Sequence, residues 1–477
     1  MADSIAGRAL RGGVVLGVRQ VVVHAANLLG LVALARLLAP AEFGTIAIAL
    51  FLHNVLASVC TLGLGTSLVR KADEPVEDDF RTVFTTQHLV AAVVALAGWV
   101  AAPWLVALYA RPDGDVVLFR AVALATLLVP LSTIPATRLE RQLCFGRLAA
   151  VEIAQALAYN ATAVVLAWYG LGTRAIAVAL LLRVALLALL AHAASPWRLR
   201  YALHRSRLVV LARFGVPLQA ATWISLAKDG LTPLLIGLTA GAAAVGFVDW
   251  AQTLATYPTL VLMILQRVYV PAFARVQDRP AELARLVERC VRATNAVAAP
   301  LAVVTLVLVG PILSLGFGER WRAAQDLFYW LWCANLFVPT VTPLVGLLTA
   351  LGRSRAVLGL ALAWMLGTWL IGAPLVLLLG PIGYGVANLL VQLTVFWVVR
   401  LTRERLDVAL LPQVLPGWAC AVPVGIATAL VAHAWPPASL PALGALAATA
   451  LLAYGLLLAA LLPGDARQTW AALKGEA

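Results

Sequence analysis

Polar and charged side chains recur at helical spacing along the first long apolar stretch of the chain. Arg19, Gln20, His24 and Asn27 fall within one arc of about 140° if the stretch is an α-helix that turns about 100° per residue. A guanidinium in such a place can bind phosphate or carboxylate oxygens through two parallel N–H donors. The spacing therefore predicts an anion-binding face on this helix, with Arg19, His24 and Asn27 as candidate contacts.

A second polar face occurs in the middle of the chain. Its members fall within an arc of about 120° on the same assumption, and they are Thr222, Ser225, Lys228, Asp229 and Thr232. Ser225, Lys228 and Thr232 are candidate ligand contacts, because a lysine in an apolar segment is costly unless it meets a partner or an aqueous cavity. Lys228 could equally be the ion-pair partner of Asp229 or Asp249, and the sequence leaves both roles open.

Further polar residues lie inside other apolar stretches. Arg120 and Arg183 are candidate cavity residues, although their places near helix ends also allow the guanidinium to reach the membrane interface. Asp249 and Gln252 share one face and, with Asp229, are candidates for ion coupling or ion pairing. The five cysteines show no CxxC or metal-ligand spacing, so neither a metal nor a cofactor is expected.

The segments that carry these residues have the composition of membrane helices. Hydrophobic residues make up 62% of the 477 residues and charged residues only 12%, about half of the charged share of a soluble domain. We therefore expect an all-α integral membrane protein with about 14 transmembrane helices, each an apolar run of about 20 residues. The predicted spans are 14–35, 43–63, 84–108, 117–137, 148–168, 175–194, 216–239, 244–268, 293–315, 326–349, 357–379, 384–399, 418–434 and 442–462.

Membrane topology explains the net charge of +13, so nucleic acid is not an expected partner. Most arginines lie in segments that follow even-numbered spans, such as residues 195–213 and 267–292, which places these segments in the cytoplasm. With an even number of spans, both termini are cytoplasmic. Residues 281–292 combine an apolar and a charged face, which predicts an amphipathic helix at the membrane interface.

A weak internal repeat relates two parts of the chain. Residues 10–12 open the first span and residues 213–215 open the seventh. Each is followed by a turn and then by Phe43-Gly44 or Val245-Gly246, which open the next spans. Because six is an even number of spans, the two halves would be related by a pseudo-two-fold axis along the membrane normal.

The repeat predicts three parts of the chain. Residues 1–200 and 201–410 would form two six-helix lobes. Residues 411–477 would add two further transmembrane helices and a cytoplasmic tail. A cavity between the lobes would be lined by the two polar faces.

Several short motifs resemble those of a known family. Residues 34–44 read LARLLAPAEFG, which is similar to the motif that ends the first helix in bacterial polysaccharide exporters. Further matches follow in the same order at residues 62–65, 141–145, 213–215, 316–321 and 350–353. On these motifs the chain resembles the lipid-linked oligosaccharide flippases, a branch of the superfamily that also holds multidrug exporters and the lipid II flippase.

The resemblance implies a transporter rather than an enzyme. Its substrate would be an undecaprenyl-diphosphate-linked oligosaccharide, flipped by alternating access across the bacterial inner membrane for surface polysaccharide synthesis. Membrane lipids would surround the protein, and a polysaccharide polymerase and glycosyltransferases would be its candidate associates. The glycine-containing residues 63–67 lack the spacing of a nucleotide-binding loop, so ATP hydrolysis is not expected.

Two other functions stay open at the level of sequence. The first is a cation-coupled multidrug or metabolite exporter of the same superfamily, which would carry a more acidic cavity. The second is a membrane glycan polymerase or ligase. Such enzymes generally need a large extramembrane loop or a constellation of catalytic acids, and the connecting segments here are short.

Overall fold

The computed structural model describes residues 5–109 and 116–461, with side chains from residue 15 onward except those of residues 16, 264 and 267. Within these ranges every regular element is a helix, and most helices are long and apolar, which confirms the all-α membrane class. Residues 110–115 and the predicted cytoplasmic tail beyond residue 461 lie outside the described residues.

The chain forms two compact units, Met1–Gly246 and Phe247–Ala477. The lobe boundaries predicted at residues 200 and 410 stay a prediction. In the described part of the first unit the helices are α1 (Ile5–Leu37), α2 (Pro40–Thr61), α3 (Leu64–Arg70), α4 (Glu77–Leu108), α5 (Val116–Arg141), α6 (Phe145–Trp168), α7 (Thr173–Ala194), α8 (Arg205–Asp229) and the beginning of α9 (Gly237–Thr256). A π-helical turn, Leu231–Ile236, joins α8 to α9.

Proline and glycine set the boundaries of α2. Pro40 stands in the first turn, where its missing N–H leaves no bond unmade. The Glu42 carboxylate accepts a 2.8 Å hydrogen bond from the Ala39 N–H at the same end. At the other end the backbone turns left-handed at Leu62 and Gly63, with φ of 48° and 67°. Glycine adopts this conformation without steric cost, and α3 begins directly after it.

Two close backbone contacts hold helices of the first unit together. A Cβ atom at Gly44 of α2 would lie 1.6 Å from the Ala242 carbonyl oxygen and 2.8 Å from the Gly246 nitrogen. A Cβ atom at Gly63 would lie 2.3 Å from the Gly215 carbonyl oxygen. Only glycine lets backbones approach so closely. Gly44 and Gly246 hold equivalent positions in the sequence repeat, and the structure packs them against each other.

The segment between α7 and α8 is tied to the start of α4. Trp197 Nε1 donates to the Glu77 carboxylate at 2.6 Å. The buried Asp79 carboxylate accepts from Lys71 Nζ at 2.6 Å and from Arg207 Nη1 at 2.9 Å. A carboxylate this deeply buried needs such partners. Asp79 therefore joins the end of α3, the start of α4 and the start of α8.

The second unit continues α9 and adds further helices. They are α10 (Leu262–Arg275), α11 (Pro280–Pro311), α12 (Gln325–Asn335), α13 (Val338–Ala350), α14 (Ser354–Leu379), α15 (Pro381–Gln392), α16 (Val395–Arg403), α17 (Leu411–Ala434) and α18 (Leu440–Leu461). Trp418 Nε1 of α17 donates to Asn295 Oδ1 at 3.2 Å, and the Tyr454 hydroxyl of α18 donates to the Ala296 carbonyl at 2.7 Å. The last two helices therefore pack on α11.

The described residues contain 12 helices long and apolar enough to cross a bilayer, or 13 if the bent pair Glu319–Asn335 and Val338–Ala350 is one span. The count of 14 stays a prediction. One of the 12, Arg205–Thr259, has 55 residues. It would extend about 80 Å, more than twice the ~30 Å hydrocarbon core. Its backbone leaves helical geometry at Gly241 (φ 81°), close to the break that the sequence predicts between two spans.

Residues 281–292 do not form a separate interfacial helix, so that expectation is wrong. They are the first turns of α11. Leu283 and Val287 are buried in one core cluster with Tyr269 and Leu344. The sequence pattern separates the apolar face from the charged face correctly, but protein side chains cover the apolar face.

Candidate functional site

α1 and α6 run side by side in the same direction. Asn160 Nδ2 of α6 donates to Asn27 Oδ1 of α1 at 2.9 Å, and Arg19 of α1 forms an ion pair with Glu152 of α6. In both pairs the two residues are 133 positions apart in the sequence. The offset stays constant because the two helices run parallel. A Cβ atom at Gly30 would lie 2.0 Å from Asn160 Oδ1, so the two helices touch at this level.

Arg19 is the centre of a polar network on α1. Its Nη1 donates to the Glu152 carboxylate, and its Nη2 donates to Gln20 Oε1 at 2.8 Å. Gln20 Nε2 in turn lies 2.6 Å from His24 Nε2. The Arg19 side chain is 17% exposed and that of Glu152 is 29% exposed. Three residues of the predicted face therefore touch each other, while their role as ligand contacts stays a prediction.

Arg183 lies in the middle of α7, so the expectation that it lies near a helix end is wrong, and side chains of α6 hold it there. Its Nε donates to Gln155 Oε1 at 2.8 Å. Its guanidinium carbon lies 5.4 Å from the centre of the Tyr159 ring, within the range of a cation–π contact. Arg183 thus has protein partners inside the first unit.

Arg120 packs against an aromatic ring near the start of α5. Its guanidinium carbon lies 5.0 Å from the centre of the Trp99 ring of α4. Its Nε is buried and has no hydrogen-bond partner among the described residues. The ring face therefore compensates part of the cost of burying the charge.

The second predicted face lies on the last turns of α8 and the π-helical turn after it. Lys228 Nζ pairs with the Asp229 carboxylate at 2.6 Å, and the two side chains are 35% and 54% exposed. Exposed here means not covered by protein. Ser225 is exposed and Thr232 is partly buried. This ion pair is one of the two roles that the sequence leaves open for Lys228. Because the pair is partly exposed, the ammonium stays accessible to a ligand.

Asp249 and Gln252 lie on α9. Asp249 is exposed. Gln252 Nε2 donates to Thr256 Oγ1 at 3.0 Å, one turn further along the helix. Their role in ion coupling or ion pairing stays a prediction. Among the described residues, no group of three or more His, Cys, Asp or Glu side chains could hold a metal ion.

The sequence interpretation missed the part that α6 plays. Polar partners of Arg19, Asn27 and Arg183 lie on this helix, and they are Glu152, Gln155, Tyr159 and Asn160. A signal for them exists in the sequence, because these four residues fall within one arc of about 140° on an α-helix. Glu152 alone stands out as an acid in an apolar span, but its partner lies 133 residues away.

The resulting arrangement can hold an oxyanion. It places the guanidinium groups of Arg19 and Arg183 in a bundle of apolar helices, where charged side chains are expensive and rare. Guanidinium groups bind phosphate and carboxylate through paired donors. Glu152 balances the charge of Arg19 when no ligand is bound.

Comparison with known sequences identifies relatives of this chain. The family model described as "Polysaccharide biosynthesis protein" matches residues 33–326. The succinoglycan biosynthesis transport protein ExoT of Rhizobium meliloti is 24% identical over 295 residues, which are 61% of this chain and 59% of ExoT. The lipopolysaccharide biosynthesis protein WzxC of Escherichia coli is 23% identical over 337 residues, 70% of this chain and 68% of WzxC. The match thus spans less than two thirds of the Rhizobium relative.

Comparison with solved structures identifies the fold. The lipid II flippase MurJ in its inward closed conformation superposes with a TM-score of 0.74 at 10% identity, over 95% of this chain and 99% of MurJ. An inward-facing multidrug resistance transporter of the MATE family gives a TM-score of 0.59 at 14% identity, over 81% of this chain and 95% of that protein. At such low identity the likeness shows the fold alone.

The family model covers more than half of the chain, and the named relatives act in polysaccharide biosynthesis. The fold is similar to that of MurJ, and the described residues form many long apolar helices. The chain therefore belongs to the polysaccharide biosynthesis protein family, and it is a multi-pass membrane protein of that family.

Proposed function

We propose that the protein flips undecaprenyl-diphosphate-linked oligosaccharide units from the cytoplasmic to the periplasmic leaflet of the bacterial inner membrane, by alternating access. The units would serve the synthesis of a surface polysaccharide. Family membership and the transport function in the name of ExoT support the reaction class. The network of Arg19 is the observation that carries the substrate class, because it offers a fixed positive charge inside an apolar bundle.

The chemistry of this substrate requires such a charge. A diphosphate is strongly hydrated and cannot enter hydrocarbon without compensation. Arg19 would bind two diphosphate oxygens through its terminal nitrogens, while the undecaprenyl chain stays among the lipid tails. The accessible ammonium of Lys228 would supply a second positive charge. Arg183 and Arg120 would keep the interior of the first unit positive.

The proposal includes an orientation and partners. Both termini would be cytoplasmic, because most arginines of the connecting segments then lie on the cytoplasmic side. Glycosyltransferases would complete the lipid-linked unit in the cytoplasmic leaflet before transport. A polymerase would consume it in the periplasmic leaflet afterwards. Physical association with these enzymes would shorten the path of a scarce lipid intermediate.

Complementation tests the proposal. In the producing bacterium, deletion of the gene should abolish the surface polysaccharide and cause the lipid-linked unit to accumulate. The wild-type gene should restore export, whereas Arg19→Ala should not. Arg322→Ala is the matched control, because Arg322 forms an exposed ion pair with Glu319 on the protein surface. Wild-type amounts of surface polysaccharide with Arg19→Ala, at equal protein level, would contradict the proposal.

A further inference from the structure

Both terminal nitrogens of Arg19 already donate to protein side chains in this structure. Nη1 donates to Glu152 and Nη2 donates to Gln20. Bidentate binding of a phosphate needs two adjacent N–H groups of the guanidinium. A diphosphate that binds Arg19 through both terminal nitrogens therefore competes with these two partners. Of the two, Glu152 carries the negative charge that competes with phosphate for the same position.

The two helices that carry this ion pair are fixed to each other nearby. The Asn27–Asn160 bond and the close approach of Gly30 to Asn160 hold α1 against α6. Glu152 and Asn160 are eight residues apart, which is about 12 Å along the helix. An exchange of partners at Arg19 therefore requires side-chain rotation only, and the helices can stay in contact. Both side chains are partly exposed, so an incoming ligand can reach the pair.

The charges favour such an exchange. A carboxylate and a phosphate offer a guanidinium similar pairs of oxygen atoms. The linking diphosphate carries two negative charges, whereas Glu152 carries one. In the empty protein, Glu152 prevents Arg19 from being an uncompensated charge in an apolar surrounding. During release it offers Arg19 a replacement partner, which lowers the cost of losing the diphosphate.

We propose that Glu152 is a positioning residue that competes with the substrate for Arg19: the diphosphate displaces it on binding, and it recaptures Arg19 on release. This inference rests on the proposed function. It makes Glu152 a determinant of substrate turnover, because a weaker competitor gives tighter binding but slower release.

The test is a binding measurement with undecaprenyl diphosphate as the probe and purified protein in lipid nanodiscs. Glu152→Gln keeps the shape and a hydrogen-bond acceptor but removes the competing charge. It should bind the probe about five- to tenfold more tightly than wild type and release it correspondingly more slowly. Glu152→Asp, which shortens the side chain, should shift the affinity in the same direction by less. Glu282→Gln, which removes a carboxylate from an exposed pair with Arg279, should not change the affinity.

The outcomes separate this inference from the proposed function. If wild type binds the probe, Arg19→Ala binds it weakly and the two Glu152 variants bind no more tightly than wild type, the competition is refuted and the proposed function stands. If neither wild type nor Glu152→Gln binds the probe, the proposed substrate class is refuted as well. Size-exclusion profiles that match wild type show that each variant is folded.

Discussion

Gly44 of α2 lies so close to residues 242–246 that alanine in its place should destabilise the protein. In Gly44→Ala the new Cβ would lie 1.6 Å from the Ala242 carbonyl oxygen and 2.8 Å from the Gly246 nitrogen. Ordinary contacts of a Cβ begin at 3.4 Å, so the backbones must separate by about 1.8 Å at this point. Neither obstacle is a side chain that can rotate away.

The free-energy change follows from two opposing effects. Overpacking of this kind costs about 1–3 kcal/mol, and the depth of the overlap places it near the upper end. Replacing a helical glycine by alanine stabilises the helix by about 1 kcal/mol, because alanine has the higher helix propensity. We therefore expect Gly44→Ala to lower the free energy of unfolding by about 2 kcal/mol. Gly455→Ala on α18 is the matched control, because its Cβ meets nothing within 4 Å, and it should be neutral or slightly stabilising.

Thermal unfolding of the purified protein in detergent, followed by tryptophan fluorescence, measures this difference. Gly44→Ala should unfold at a lower temperature than wild type, and Gly455→Ala should not. Gly246→Ala would place a Cβ 2.3 Å from the Pro40 carbonyl oxygen across the same contact. Because one separation relieves both overlaps, the double variant should lose less stability than the sum of the single losses. A Gly44→Ala protein as stable as the control would refute the reasoning.

Three further predictions concern charged groups and topology. Asp79→Ala leaves Lys71 and Arg207 without their buried partner and should cost about 2 kcal/mol. Trypsin should then cut faster at residues 198–207, whereas Glu319→Ala, at an exposed carboxylate, should not change the rate. Neutralising Lys228 and Asp229 together should abolish export if Lys228 binds the substrate. If the double variant exports normal amounts of surface polysaccharide, Lys228 is only the ion-pair partner of Asp229. A periplasmic reporter should be active when fused at residue 436 and inactive at residue 205, and a reversed pattern would contradict the cytoplasmic termini.

The sequence predicts the helices well because their signals are local. Apolar runs give the spans, and helical spacing groups Arg19, Gln20 and His24 on one face, where the structure finds them in contact. The partner on α6 could not be predicted, since nothing in the sequence relates residues 133 positions apart. The role of a face also depends on what covers it. Leu283 and Val287 form an apolar face as expected, but protein covers it.

Irregular backbone is the second reason why the structure differs from the sequence prediction. The predicted span 326–349 is two helices bent by 41°. Pro339 stands in the first turn of α13, where it lacks the N–H that would continue the hydrogen-bond ladder from α12. Proline is frequent in membrane helices and often causes no break. Its presence in the sequence therefore does not decide whether a span is continuous or bent.

Reconstituted flipping tests the central claim most directly. Purified protein in liposomes would be given a fluorescent undecaprenyl-diphosphate-linked glycan, and a membrane-impermeant quencher would report the fraction in the outer leaflet over time. We predict that wild type equilibrates the lipid between leaflets, that Arg19→Ala is slower by about tenfold or more, and that Arg19→Lys is intermediate, because it keeps the charge but loses the bidentate geometry. Wild-type liposomes that move the lipid no faster than protein-free ones, or an Arg19→Ala protein as fast as wild type, would contradict the account.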